Sequence, residues 1–240
     1  MAHDKLFRKK TPAADFNFGK KTAQVFDDML ERSVPFYAEV QRMINQMVSE
    51  FAVENTNIYD LGCSTGTSFL QMNGNIPKNT KLIGLDSSQE MLNRARKKMK
   101  ARRFPIKHEF ICADLNKGFT IKNASVVIMS LTLQFIRPIY RERTIANIAA
   151  GLNDGGCLIL VEKVLSPHST LNRLFIKYYY EFKKHNGYSE MEIARKREAL
   201  ENVLVPYHFD ENRELLLKNG FKGCDTFFRW YNFCGILAIK

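Results

Sequence analysis

Three aspartates stand where apolar runs end. Asp60 follows Asn57-Ile58-Tyr59, Asp86 follows Lys81-Leu82-Ile83-Gly84-Leu85, and Asp114 follows His108-Glu109-Phe110-Ile111-Cys112-Ala113. An acid at the carboxyl end of a buried strand lies where open α/β sheets bind ligands. Asp60 could accept from an amine or an amide donor. Asp86, one βα unit later, is placed to grip a ribose diol through paired acceptor bonds. Asp114 could accept from an adenine amino group, with Leu115 against the ring. A single strand-end aspartate is ordinarily a cap or a turn residue, so the recurrence is the informative feature. One cation could join these acids. Ile193, Arg197, Leu200 and Leu204 recur at helical spacing, which gives Arg197 an apolar face that Arg195 and Lys196 do not share. A guanidinium on an inward face needs an anion, because unpaired buried charge is costly. That anion is Glu162 or another acid of the chain, or a substrate carboxylate held bidentately.

These residues need a scaffold. After Asp60 comes Leu61-Gly62-Cys63-Ser64-Thr65-Gly66-Thr67, which reads as a tight turn from a strand into a helix. Glycine there lets a ligand approach the backbone, since no Cβ stands in the way. The dinucleotide fingerprint needs Gly-x-Gly-x-x-Gly, and Ser64 occupies the place of its middle glycine. A phosphate loop needs Gly-Lys-Ser/Thr, which the chain lacks. A strand ending Asp-x-Gly with small residues after it is the pattern of S-adenosylmethionine (SAM) enzymes, which have no pyrophosphate to cradle.

Apolar runs at Ala124 to Met129 and Cys157 to Val161 supply a fourth and a fifth strand. Asp225 to Tyr231 and Phe233 to Ile239 lie close enough to form an antiparallel hairpin at the sheet edge. The alternation with helices predicts an α/β fold, a doubly wound, mostly parallel, seven-stranded sheet. Helices are expected from Pro35, which suits a first turn, and after Ser87, with Glu90 completing a capping box. Tyr37, near the first of these starts, either points its hydroxyl into a cleft or is a half-buried core residue. A helical insertion is expected over about 166–205. Its second helix starts at Ser189, with Glu192 completing another box.

Length and charge bound the rest. The 240 residues suit one α/β domain, 21–240, after a flexible arm, 1–20, carrying Lys5, Arg8, Lys9 and Lys10. No apolar run approaches the roughly 18 residues of a membrane span. Residues 1–10 hold no apolar signal-peptide core, so a cytoplasmic protein is expected. Five scattered cysteines without a Cys-x-x-Cys predict reduced thiols and no metal. The formal charge of +11 permits an acidic partner. The basic run Arg94, Arg96, Lys97, Lys98, Lys100, Arg102 and Arg103 has no interleaved aromatics to stack bases. It reads as a solvated helix face rather than a nucleic-acid surface.

Several segments together resemble the bacterial carboxy-S-adenosylmethionine synthases. They are Arg32-Ser33-Val34-Pro35 with Tyr37, Tyr59 to Ser64, Thr132 to Phe135, Glu162-Lys163, Phe182-Lys183, Asn186-Gly187-Tyr188-Ser189-Glu190, Lys196-Arg197 and Leu200-Glu201-Asn202-Val203. The likeness covers about residues 22–240. It implies a homodimer that converts SAM and prephenate to carboxy-SAM and phenylpyruvate. Prephenate loses CO2, a SAM methyl proton is removed, and the resulting sulfonium ylide captures the CO2. The product would feed a separate enzyme that modifies wobble uridine in tRNA, so direct tRNA contact is not expected here. By matching motif, Tyr37, Gly62, Cys63 and Ser64 would line the methionine and ribose side. Asp86 and Ser87 would hold the ribose, Asp114 and Leu115 the adenine, and Arg197 the new carboxylate. The family carries asparagine where Ser130 stands; serine keeps a hydroxyl but loses the amide's reach and second donor. Two other readings share the fold. One is a conventional SAM methyltransferase acting on tRNA or a small molecule, and the other a non-catalytic SAM-binding module. Neither gives Arg197 a role.

Overall fold

A computed structural model describes residues 3–8, 15–72, 74 and 76–240. The three apolar runs with acids at their ends and the two that follow form parallel strands: β1 (Asn57–Leu61), β2 (Lys81–Asp86), β3 (His108–Cys112), β4 (Ala124–Ser130) and β5 (Leu152–Leu165). The sheet order is β3-β2-β1-β4-β5-β8-β7. β7 (Gly223–Trp230) and β8 (Phe233–Ile239) form the antiparallel edge hairpin, and β8 also runs antiparallel to β5. A two-residue β6 (Tyr207–His208) adds to β5, making eight strands among the described residues where seven are expected. Two residues are too short to show a periodicity. The chain leaves β1 toward β2 on one side and returns to β4 on the other, so the crevice beyond β1 and β4 is the topological switch point.

Successive residues of a strand face opposite sides, and both sides are covered. Ile58, Val126, Ile128, Ile159 and Val161 join one apolar cluster, with Val40 and Ile44 of α2 (Tyr37–Phe51) and Leu92 and Ala95 of α4 (Gln89–Ala101). Tyr59, Leu61, Val127, Met129 and Leu158 join the other, with Ile145 and Ile148 of α5 (Pro138–Gly151) and Leu216 of α8 (Phe209–Lys218). The central strands are therefore continuously apolar. Their last residues, at the sheet's carboxyl edge, are free to be polar.

Three local expectations need correction. The second helix starts at Tyr37, not Pro35, because Phe36 takes a left-handed conformation (φ 52°) that turns the chain first. The cap of α4 is Ser88, whose side chain accepts from Met91 N–H at 3.2 Å; Ser87 and Glu90 form no box. The Ser189–Glu192 box does form at the start of α7 (Glu190–Leu200). The arm is not free over its described residues. Asp4 is buried, and Tyr188 donates to its Oδ2 at 2.6 Å. Arg8 pairs with Glu192 at 3.3 Å and Phe16 N–H donates to Ala199 O at 2.8 Å. Lys9 and Lys10 lie outside the described residues. α6 (Ser169–His185) and α7 fill the place of the expected insertion. Most of the basic run on α4 is exposed, but Lys98 turns inward to Asp27, 2.6 Å away.

Candidate active site

The turn after β1 is bound to the end of β2. Gly62 and Cys63 both donate to Leu85 O, at 2.7 and 3.0 Å. The Asp86 carboxylate then closes the corner, taking Ser64 N–H on Oδ2 at 2.9 Å and Ser88 N–H on Oδ1 at 2.8 Å. Each carboxylate oxygen can accept more than one donor, so both retain capacity for ligand hydroxyls. Burial raises the Asp86 pKa, and the two N–H groups oppose that rise. Asp60 sits behind the turn and accepts from Ser68 Oγ. Burial, aided by the nearby Asp86 charge, pushes its pKa up to about 7. The Cys63 thiol is held well above its ordinary value, first by burial and then by Asp60 and Asp86. Buried at the turn, it forms part of the cavity wall.

These groups border a cavity of about 330 Å³ at the switch point. Of the residues expected at the ligand, Tyr37, Gly62, Cys63, Ser64, Asp86, Ser87, Asp114, Leu115 and Ser130 all line it. Asp114 uses Oδ1 to accept from Asn116 N and Nδ2, both at 3.0 Å, and leaves Oδ2 unengaged among the described residues. Tyr37 is half-buried at the cavity, and burial with the nearby Asp27 and Asp60 raises its phenol pKa.

A second layer fixes the loop after β4. Buried Glu162, near the end of β5, accepts from Thr132 and Leu133 N–H on Oε1 (3.0 and 2.9 Å) and from Gln134 N–H on Oε2 (2.8 Å). Burial pushes its pKa up to about 8, against those three donors. Thr132, so held, stands over Gly62. A Cβ on Gly62 would lie 2.3 Å from Thr132 Oγ1. The arm closes another side: Phe16 and Phe18 line the cavity, and Ser88 Oγ donates to Phe18 O at 2.6 Å.

The far end of the cavity is cationic and aromatic. Lys163, next to Glu162, and Lys196, on α7, line it beside Tyr179 and Phe233. Lys163 Nζ lies 4.6 Å from the Tyr179 ring centre. Lys196 donates to Ser33 Oγ at 3.0 Å, Ser33 to the Tyr188 hydroxyl at 3.3 Å, and Tyr188 to Asp4.

Comparison with known proteins decides the family. The methyltransferase domain family matches residues 58–156, the segment from β1 to the start of β5. A putative SAM-dependent methyltransferase from Methanococcus maripaludis shares the fold, with a TM-score of 0.61 at 17% identity, covering 96% of this chain and 97% of its own. A carboxy-S-adenosyl-L-methionine synthase from Methylococcus capsulatus is 56% identical, with all of both chains covered. This chain belongs to the carboxy-S-adenosyl-L-methionine synthase family. A synthase from Desulfotalea psychrophila is 44% identical, over 99% of this chain and 97% of its own.

For a synthase of this family, the one residue not where the sequence reading put it is Arg197. It is exposed and borders a separate groove between α6 and α7, with Arg173, Lys177 and Glu181. The buried cation of α7 is Lys196, only 6% exposed. A stripe of Ile193, Leu200 and Leu204 is completed equally well at i+3 by Lys196 and at i+4 by Arg197, so periodicity alone could not separate them. Glu162 is not paired with Arg197 either; backbone N–H groups take its carboxylate. The sequence reading assigns no site role to Lys163 or Tyr179, which also line the cavity. Lys163 directly follows an acid at a strand's carboxyl end, and that position was the available signal.

Proposed function

We propose that this enzyme converts SAM and prephenate to carboxy-SAM and phenylpyruvate, and that the product supplies tRNA wobble-uridine modification by another enzyme. The observation that carries this reading is the two-ended cavity. Its near end presents three strand-end acids, and its far end presents lysines. A methyl acceptor needs no cationic wall, whereas a dianionic carboxylate donor does. In this scheme Asp86 and Ser87 hold the ribose, Asp114 and Leu115 the adenine, and Gly62, Cys63, Ser64, Tyr37 and Ser130 surround the methionine end. Prephenate releases CO2 and hydroxide, the hydroxide takes a proton from the sulfonium methyl, and the methyl carbon forms its new bond to CO2. Water and phenylpyruvate leave. No protein base is required.

The chemistry needs little water near the carbon, which water would reprotonate, and Phe16, Phe18, Tyr179 and Phe233 supply apolar walls. Arg197 lies outside the cavity of one chain. Its role as clamp of the new carboxylate therefore requires a homodimer in which a second copy presents it, in a cytoplasmic enzyme. The test is a reaction of the purified protein with SAM and prephenate. The expected product is heavier than SAM by one CO2. Formation of S-adenosylhomocysteine with a methylated acceptor instead would favour a methyltransferase.

A further inference from the structure

Three lysines from three elements cluster around Tyr179 and Tyr188; Lys163 and Lys196 line the cavity, and Lys183 lies behind them. Lys163 comes from β5, Lys183 from α6 and Lys196 from α7. Lys183 is 4% exposed and Lys196 6%. Among the described residues none of the three makes an ion pair. Aromatic faces surround them instead. Lys163 Nζ lies 4.6 Å from the ring centre of Tyr179 and 5.6 Å from that of Phe233. Lys183 Nζ lies 5.3 Å from Tyr179 and 5.6 Å from Tyr188, and Lys196 Nζ 5.5 Å from Tyr188. The nearby carboxylate is Asp4, and the Tyr188 hydroxyl takes its Oδ2.

Ring faces offset only part of what three ammonium groups lose on leaving water. Burial, and then Lys183, brings Lys163 down to about 7. Burial brings Lys183 down to about 8, opposed by Asp4. Burial, followed by Lys183, puts Lys196 well below its ordinary value. A fold does not need such a cluster for packing, and apolar residues of the same volume would be more stable. An anion in the cavity would give the cluster its missing partner.

We propose that Lys163 and Lys196, backed by Lys183, form the binding site for the carboxylate that the second substrate keeps, the 2-oxo-acid end of the carboxylate donor. The assignment rests on the reaction proposed above and says which end of the donor goes where. The donor carries two carboxylates and loses one. An ammonium paired with the departing carboxylate would stabilise the ground state and oppose its loss. The cations therefore belong at the retained end. The departing carboxylate then points back toward Tyr37 and Ser130, where the sulfonium methyl lies, and Tyr179 and Phe233 flank the ring.

The test uses Lys163→Met and Lys196→Met, which keep most of the side chain's length and remove its charge. Phenylpyruvate binding is measured by calorimetry with SAM present, together with the KM for prephenate. A lost charge-assisted hydrogen bond should weaken phenylpyruvate and raise that KM by roughly 10- to 100-fold. SAM affinity should stay within about twofold, which also shows that each variant is folded. The ligand-free Tm of Lys163→Met should hold or rise, since a buried unpaired charge has gone, whereas Lys196→Met also gives up the hydrogen bond to Ser33. Were Lys163 structural, its variant's Tm would fall instead. Phenylacetone, which lacks the carboxylate, should bind wild type and variants alike. Unchanged phenylpyruvate affinity in both variants overturns the assignment and leaves the reaction standing. So does a selective loss of carboxy-SAM affinity, which would place the new carboxylate at the lysines. If the wild-type enzyme neither binds phenylpyruvate nor makes carboxy-SAM from prephenate, the reaction itself is wrong and the assignment falls with it.

Discussion

Replacing Gly62 with alanine should damage the enzyme more than any other single methyl in the turn, and the structure says by how much. Gly62 has φ 79°, a left-handed conformation. An L-residue there costs about 1–2 kcal/mol. The new methyl would lie 2.3 Å from Thr132 Oγ1 and 2.6 Å from Thr132 Cγ2. Thr132 cannot simply rotate away: its N–H donates to Glu162 at 3.0 Å and its Oγ1 to Ser130 O at 3.2 Å. Displacing it costs about 1–3 kcal/mol more, as overpacking does. The sum is about 2–5 kcal/mol, read from urea unfolding followed by circular dichroism. SAM affinity should fall as well, since the turn moves against the ligand.

Gly155→Ala is the control. Gly155 also has positive φ (75°), close to that of Gly62, but a Cβ there meets nothing within 4 Å. It should cost only the conformational part, about 1–2 kcal/mol. Thr132→Ala added to Gly62→Ala should recover most of the difference. Equal losses for the two glycine variants, or no recovery in the double variant, would refute the steric account.

Other expectations follow from the buried charges. Glu162→Gln keeps one acceptor oxygen but turns an amide NH2 toward a backbone N–H. It should cost about 1–3 kcal/mol and speed hydrogen exchange at Thr132, Leu133 and Gln134; unchanged exchange would mean that Glu162 does not hold the loop. Stability should have a minimum near pH 7–8. Asp60 and Glu162 have folded pKa values raised to about 7 and 8. Their stabilisation is complete below their unfolded values of about 4 and is lost as pH rises through 7–8. Lys163 and Lys183 have folded values lowered to about 7 and 8. Their contribution is complete above about 10.4 and is lost as pH falls to that same range. Urea unfolding at pH 6, 7.5 and 9 checks this, and a monotonic fall from pH 6 to 9 would contradict it.

The parts of the enzyme legible in its sequence are those set by local pattern. Strands ending in Asp60 and Asp86 could be read because apolar residues fill both faces and the acids mark the sheet's carboxyl edge. Gly62 could be read because its turn needs a residue without a Cβ. The parts that were not legible depend on distant partners. Asp4 is buried where Tyr188, 184 positions further along the chain, donates to it. Lys196 and Arg197 exchange places because a helical stripe tolerates either spacing. Ser88 rather than Ser87 caps α4 because the Asp86 carboxylate takes the Ser88 N–H and sets the turn one residue later. Lys163 and Lys183 face each other only after β5 and α6 have packed.

The most direct measurement follows one carbon. Prephenate labelled with carbon-13 in the ring carboxylate would be incubated with SAM and the purified enzyme, and the nucleoside product analysed by mass spectrometry. The account predicts a product one labelled CO2 heavier than SAM, with unlabelled phenylpyruvate released. Label found only as free CO2, with SAM unchanged or converted to S-adenosylhomocysteine, would contradict it.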